Sequence, residues 1–186
     1  MPMARLADVA MVLSGTSPKP GGQGRAHFVR IKDLTPGRRA LATGARPTAK
    51  RAVPIESGDV LVAARGEGKL AVRPDADLVG AFAGLDLYLV RPDPERLDPD
   101  YLASFLNSEA ITRMIRASAS RGTLPRIPKD ALTELLVPVP ALAEQVAFGR
   151  LTAAMSRYEM LARAKLAAEK RWFQACLEQA FTELRG

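Results

Sequence analysis

The sequence predicts an α+β chain, a mixed domain over residues 1–140 followed by one long coiled-coil helix over 141–186. Three observations carry this expectation. Short apolar runs such as Val60–Val62 and Leu87–Val90 recur between Gly- and Pro-rich stretches before Asp98, which is how strands are punctuated. An Asp98-Pro99-Asp100 start, followed by apolar residues at three-to-four spacing, predicts a helix in the middle of the chain. From Ala141 onward no proline occurs and the apolar residues approximate a heptad.

In chain order, residues 1–13 form a short helix or strand that turns Leu6, Val9, Val12 and Leu13 inward. Ser14 to Gly24 holds two prolines and four glycines and reads as a loop. His27 to Leu34 is expected as a strand, with Arg30 and Lys32 on one face. Thr35 to Val53 has hardly any large apolar residue and is expected as an exposed excursion. Val60–Ala64 and Leu70–Arg73 then flank Arg65-Gly66-Glu67-Gly68-Lys69 as a hairpin, and Asp86–Val90 is a further strand.

The helix that starts at Asp98 is expected to bury Tyr101, Leu102, Phe105, Leu106, Ile111, Met114 and Ile115. Arg113 and Arg116 fall near its C-terminal end, where cations are favoured. A Pro125-Arg126-Ile127-Pro128 turn and a Leu135-Leu136-Val137 strand lead to Pro138-Val139-Pro140. Leu142, Glu144 and Gln145 open the rod.

The rod carries a stripe of Leu151, Met155, Tyr158, Ala162, Leu166, Phe173, Leu177, Ala180 and Leu184, interrupted near Glu169 and Lys170. A helix about 65 Å long, at about 1.5 Å per residue, cannot bury all of it on a domain of ~140 residues. Dimerisation through Leu151, Met155, Tyr158, Leu166, Phe173, Leu177 and Leu184 is the expectation, and folding back onto the domain is the alternative.

Net charge is +7. Residues 1–73 hold 13 Lys+Arg against 5 Asp+Glu, and residues 74–140 hold 7 against 10, so the excess lies in the first half. Such a balance favours an anionic partner. The loop candidates are Thr16, Ser17, Lys19, Arg25, Arg38, Arg39, Arg65, Lys69, Arg121 and Arg126, with Arg30 and Lys32 on their strand. Arg and Lys grip phosphates or read guanine, and Arg65, Lys69 and Arg121 sit beside glycines that permit close approach.

Catalysis finds no support. One histidine, His27, and one cysteine, Cys176, exclude a multi-histidine metal site and an intrachain disulfide. Asp93, Glu95, Asp98 and Asp100 read as a turn and a helix cap. The Arg65–Lys69 segment lacks phosphate-loop spacing. No Asn/Asp-Pro-Pro-Tyr/Phe methyltransferase motif and no Pro-Asp…Glu-x-Lys nuclease pattern occurs. Cys176 is expected to pack as an apolar residue in a reducing, cytoplasmic setting. Neither a cleavable leader nor an apolar run near 18 residues is evident, so secretion and membrane spanning are not expected.

Gly122, Thr123, Ile127, Leu132, Pro138, Pro140, Leu142, Glu144 and Gln145 follow a pattern of Gly-Ser/Thr loop, "I-x-x-x-x-L", apolar strand, "P-x-P" and "L-x-E-Q". This resembles the seam between a target recognition domain and its spacer helix in specificity subunits of type I restriction–modification systems. Leu6-Ala7-Asp8-Val9 with Ser14-Gly15-Thr16-Ser17-Pro18 is similar to the family's opening segment, with Ser17 inserted before the proline. Phe28–Leu34 is similar to its "F-[IV]-R-x-x-D-[IL]" strand, and Ser57-Gly58-Asp59 through Lys69 to its "GD-[IV]-L-[IV]" hairpin.

The resemblance implies an α/β recognition domain with a curved, mostly antiparallel sheet over 1–140, and a spacer helix over 141–186. It implies a non-catalytic subunit that binds double-stranded DNA and binds no cofactor itself. That subunit serves an adenine methyltransferase subunit using S-adenosylmethionine and, where present, a restriction/translocase subunit. The family normally carries two recognition domains and two spacer helices, and this sequence shows one of each, so a homodimer would restore the layout. A scaffold role in a defence complex, or one half of a split heteromeric subunit, are the alternatives.

Overall fold

The computed structural model describes residues 1–18, 24–35, 41–50, 52–66, 69–120 and 125–183. The chain divides into two compact units, Met1–Gly149 and Arg150–Gly186. The first unit opens with β1 (Met3–Arg5), α1 (Leu6–Val9) and β2 (Ala10–Ser14). Then come β3 (Arg25–Val29), a 3-10 turn at Ile31–Leu34 and β4 (Ala42–Ala45). β5 (Val60–Ala63), β6 (Ala71–Val72), β7 (Phe82–Ala83) and β8 (Leu87–Pro92) follow. The unit ends with α2 (Pro99–Leu106), α3 (Glu109–Ala117), α4 (Lys129–Thr133) and β9 (Leu136–Pro138), and α5 (Leu142–Glu183) continues into the second unit.

A four-stranded antiparallel sheet in the order β2-β8-β5-β6 forms the centre. Its inner strands are buried on both faces, and the two-residue alternation of strands divides them between two cores. Val60, Val62, Tyr88 and Val90 meet α1, α2 and α4 through Leu6, Leu102, Leu106 and Leu132. Leu61, Leu87 and Leu89 point the other way, onto Val29, Leu34, Ile55 and Leu78. A three-stranded sheet, β4-β3-β7, lies beyond this second core, and β1 pairs with β9 in a separate two-stranded sheet. The fold is α+β with mainly antiparallel sheets and a long C-terminal helix, as expected.

Several local expectations change. The strand expected over His27–Leu34 stops at Val29, because the Asp33 carboxylate accepts from the Arg30 main-chain N–H at 2.9 Å and closes a 3-10 turn. Arg30 and Lys32 therefore do not share a strand face. The excursion expected over Thr35–Val53 contains β4, which pairs with β3 from Arg25↔Ala45 to Phe28↔Ala42. Small residues allow it to lie close: a Cβ on Gly44 would sit 2.2 Å from the Pro18 Cβ. The single helix expected from Asp98 is two helices. Asn107 ends the first by turning its side chain onto the Ala71 N–H and carbonyl, at 3.0 and 2.6 Å, which caps the edge strand β6. Met114, expected in the core, is exposed on α3.

Motif residues acquire physical reasons. Gly15 has no room for a side chain, since a Cβ there would lie 1.9 Å from the Gly84 carbonyl oxygen. Asp98 caps α2 by accepting from the Tyr101 N–H at 2.8 Å, with Pro99 at the first helical position. Gln145 is fully buried at the start of α5. Its carbonyl accepts from the Asp98 N–H at 2.9 Å, and its amide donates to the Arg96 and Pro140 carbonyls at 2.9 Å each. An amide is suited to this place because it offers both donors and an acceptor to main-chain groups that would otherwise be orphaned.

Candidate nucleic-acid interface

The basic excess of the first 73 residues is confined to one stretch. Residues 14–55 hold nine Lys+Arg and one acid, Asp33, while residues 1–13 and 56–73 each balance to zero. This stretch builds β3, β4 and their connections. Its one carboxylate is already committed. Asp33 is 5% exposed and takes the Arg30 Nε at 3.0 Å in addition to the main-chain bond. Burial alone would raise the Asp33 carboxyl, but the Arg30 hydrogen bonds and charge outweigh it, and its pKa lies below the ordinary value.

The outer face of the β3–β4 pair is polar and exposed. Arg25 and His27 alternate with buried Ala26 and Phe28, and Thr43 lies directly across from His27. The His27 Nδ1 and Thr43 hydroxyl are 3.4 Å apart. Ala26 and Phe28 face inward onto Phe82. Arg46 follows β4 with its guanidinium 5.8 Å from the Phe82 ring centroid. Lys32 and Lys50 are exposed.

A second group forms around the β5–β6 turn. Arg65 pairs with Asp86 at 2.8 Å, and Arg126 reaches the same carboxylate oxygen at 3.7 Å. Arg126 also donates to the Leu85 carbonyl at 2.9 Å and lies over the Tyr88 ring at 5.2 Å. The Tyr88 hydroxyl in turn donates to the Ile127 carbonyl at 2.7 Å, which ties the Pro125–Pro128 turn to the central sheet. Arg65 and Arg126, far apart in sequence, thus meet at one carboxylate.

Among the other candidates, Thr16 is half-buried in a parallel bridge to Gly84, and its N–H donates to the Ala83 carbonyl at 2.8 Å. Ser17 and Lys69 are exposed. Lys19, Arg38, Arg39, Arg121 and Leu184 lie outside the described residues. His27 and Thr43 are not among the sequence candidates, because the β3–β4 register is invisible in a Gly- and Ala-rich segment. The one available signal was the alternation Arg25-Ala26-His27-Phe28.

On α5 the stripe is exposed in the single chain: Leu151 by 62%, Tyr158 by 69% and Phe173 by 58%, with Met155, Leu166 and Leu177 alike. Trp172 and Phe181 are exposed too, off the heptad register. Cys176, expected to be packed, is exposed. Among the described residues no helix is long and apolar enough to cross a membrane, and no group of three or more His, Cys, Asp or Glu side chains could hold a metal ion.

No family model and no curated protein matches the chain. Solved structures do match. The HsdS subunit from Thermoanaerobacter tengcongensis is 24% identical, with a TM-score of 0.66 over 91% of this chain and 45% of its own. A chain from a structure on complex assembly and conformational transition of the type I restriction–modification (R-M) system is 23% identical, with a TM-score of 0.67 and the same coverage. The S subunit of the type I R-M system from M. genitalium is 14% identical, with a TM-score of 0.54 over 84% of this chain and 39% of its own. The chain has the HsdS fold. It spans less than half the length of each of these matched chains.

β9 is followed by Pro138-Val139-Pro140, then by α5 with Gln145 buried at its start. The basic stretch lies in the first unit and the exposed α5 stripe in the second.

Proposed function

We propose that this chain is a non-catalytic DNA-specificity subunit of the type I restriction–modification kind. In this reading residues 1–140 are the recognition domain and residues 141–186 the spacer and dimerisation helix. The domain binds double-stranded DNA. The subunit directs a partner adenine methyltransferase, which uses S-adenosylmethionine, and a restriction/translocase subunit where one is present. The observation that carries the reading is the HsdS fold, matched over 91% of this chain but only 45% of the neighbour's length. One recognition unit and one helix correspond to that share.

The charge pattern supports the DNA part. A stretch with nine cations and one sequestered acid attracts phosphate through counterion release. The exposed stripe supports the assembly part. Leu151, Met155, Tyr158, Leu166, Phe173 and Leu177 leave apolar surface that a second copy of α5 would cover. A two-fold pair of chains would read two identical half-sites separated by a spacer, a split palindrome.

Two measurements test this. Sedimentation of the full chain at tens of micromolar (a working range) should give a dimer, and Leu166→Glu with Phe173→Glu should give a monomer by burying charge in the seam. Co-expression with a type I methyltransferase subunit should produce adenine methylation at a split palindromic sequence. A wild-type chain that stays monomeric rules out the homodimer. DNA binding that shows no sequence preference rules out the specificity role and leaves a scaffold.

A further inference from the structure

The pairing of β3 is uneven along its length. β7 pairs only with Phe28 and Val29, whereas β4 pairs with Arg25 through Phe28. Arg25–His27 and Thr43–Ala45 are therefore only two strands wide among the described residues. A two-stranded antiparallel ribbon is one of the few elements that the DNA major groove admits, the groove being about 12 Å wide. The two faces of this ribbon differ sharply. Ala26, Phe28 and Ala42 are spent on Phe82 and its surroundings. The other face carries Arg25, His27 and Thr43 outward, with only the short Ala45 opposite Arg25.

The residue types on that outer face suit base edges better than phosphates alone. The His27 imidazole and the Thr43 hydroxyl each donate and accept hydrogen bonds, and the threonine methyl can contact a thymine methyl. They stand as cross-strand neighbours 3.4 Å apart, so the pair presents one local pattern. Arg25 lies two residues before His27 on the same face of β3 and carries the fork that matches guanine. In sequence Arg46 and Lys50 follow β4, and both are exposed. A ribbon with readable side chains on its face and exposed cations following it in the chain offers groups both for positioning and for reading.

We propose that the β3–β4 ribbon enters the major groove and that His27, Thr43 and Arg25 are its specificity-determining residues. This rests on the DNA-specificity reading and names the element of the domain that reads. The Arg65–Asp86–Arg126 group then serves to hold the Pro125–Pro128 turn and does not read bases.

The test uses the full chain and a pool of duplexes with a randomised centre, selected through rounds of binding. The wild type should enrich a defined motif. The His27→Ala, Thr43→Ala double variant should lose preference at one or two adjacent base pairs of that motif. Its affinity for the enriched duplex should fall about ten- to hundredfold, while affinity for the unselected pool stays nearly intact. Arg25→Ala should relax a neighbouring guanine. Thr43→Val, which keeps the β-branched shape and the folded ribbon, should alter the preference in the same place. If the double variant enriches the wild-type motif unchanged, the ribbon does not read and the proposal is overturned while the specificity role stands. Equal losses on enriched and unselected duplexes also overturn it, since they mark phosphate contacts. A wild type that binds the pool but enriches nothing overturns the specificity role itself.

Discussion

The cations of this domain fall into two regions with opposite surroundings. Between residues 56 and 140, guanidiniums are tied to carboxylates: Arg65 to Asp86, Arg73 to Asp100, Arg91 to Asp59 and Glu56, and Arg113 to Glu109. Between residues 14 and 55, nine cations share one acid, and that acid is buried under Arg30. Among the described residues, the arginines of the first region brace the fold through ion pairs, whereas Lys32, Arg46 and Lys50 of the second are exposed. Net charge alone does not make that distinction, because a tied arginine and an untied one count the same.

The largest effect should come from the most deeply tied pair. Asp59 is fully buried and accepts from Arg91 Nε and a terminal nitrogen at 2.7 and 2.9 Å, as well as from the Glu56 N–H at 2.7 Å. Asp59→Ala leaves the Arg91 guanidinium without its main partner and should cost about 3–5 kcal/mol of stability in denaturant unfolding. A loss under about 1 kcal/mol would place Arg91 with the exposed pairs, whose worth is small.

Asp86 sharpens the comparison from the other side. It is partly exposed, so Asp86→Ala should change stability by only about 1 kcal/mol or less. Its removal takes the carboxylate away from Arg65 and Arg126 together, and duplex affinity at low salt should rise. An unchanged affinity would mean that these two cations cannot reach DNA even when freed.

How legible this was in the sequence depends on what each residue answers to. The strands β5 and β8, the Asp98 cap and the α5 rod were all visible because local periodicity and capping chemistry specify them. β4 was not, because Ala42-Thr43-Gly44-Ala45 carries no strand signal of its own. It is held by the register with β3 and by the room that Gly44 leaves for Pro18. The break at Asn107 was hidden for the same reason: its cause is an edge strand distant in sequence. Of the candidate contacts, the basic bias of the first half was readable. Which arginines were already committed was not, since Arg65 and Arg126 meet only through Asp86 in the folded chain.

A smaller effect concerns pH. The Asp33 carboxyl titrates below its ordinary value in the folded chain, so its contribution to stability is present above the unfolded-state pKa, near 4. It is lost as pH falls through the lower, folded value. Asp33→Asn should remove that acid-limb contribution, seen as a flatter stability profile below about pH 4. A profile identical to wild type would mean the Arg30 pair is equally formed in the unfolded chain.

The most direct measurement is the salt dependence of duplex binding by the full chain, compared between variants from the two regions. Each phosphate contact contributes a slope of about −0.9 to log affinity against log salt. Replacing Arg46 and Lys50 by Ala should reduce the magnitude of the slope by up to about 1.8, while replacing Arg65 and Arg126 should leave it essentially unchanged. Equal slopes for both variant pairs, or affinity that does not respond to salt at all, would contradict the division between tied and untied cations on which the DNA-binding account rests.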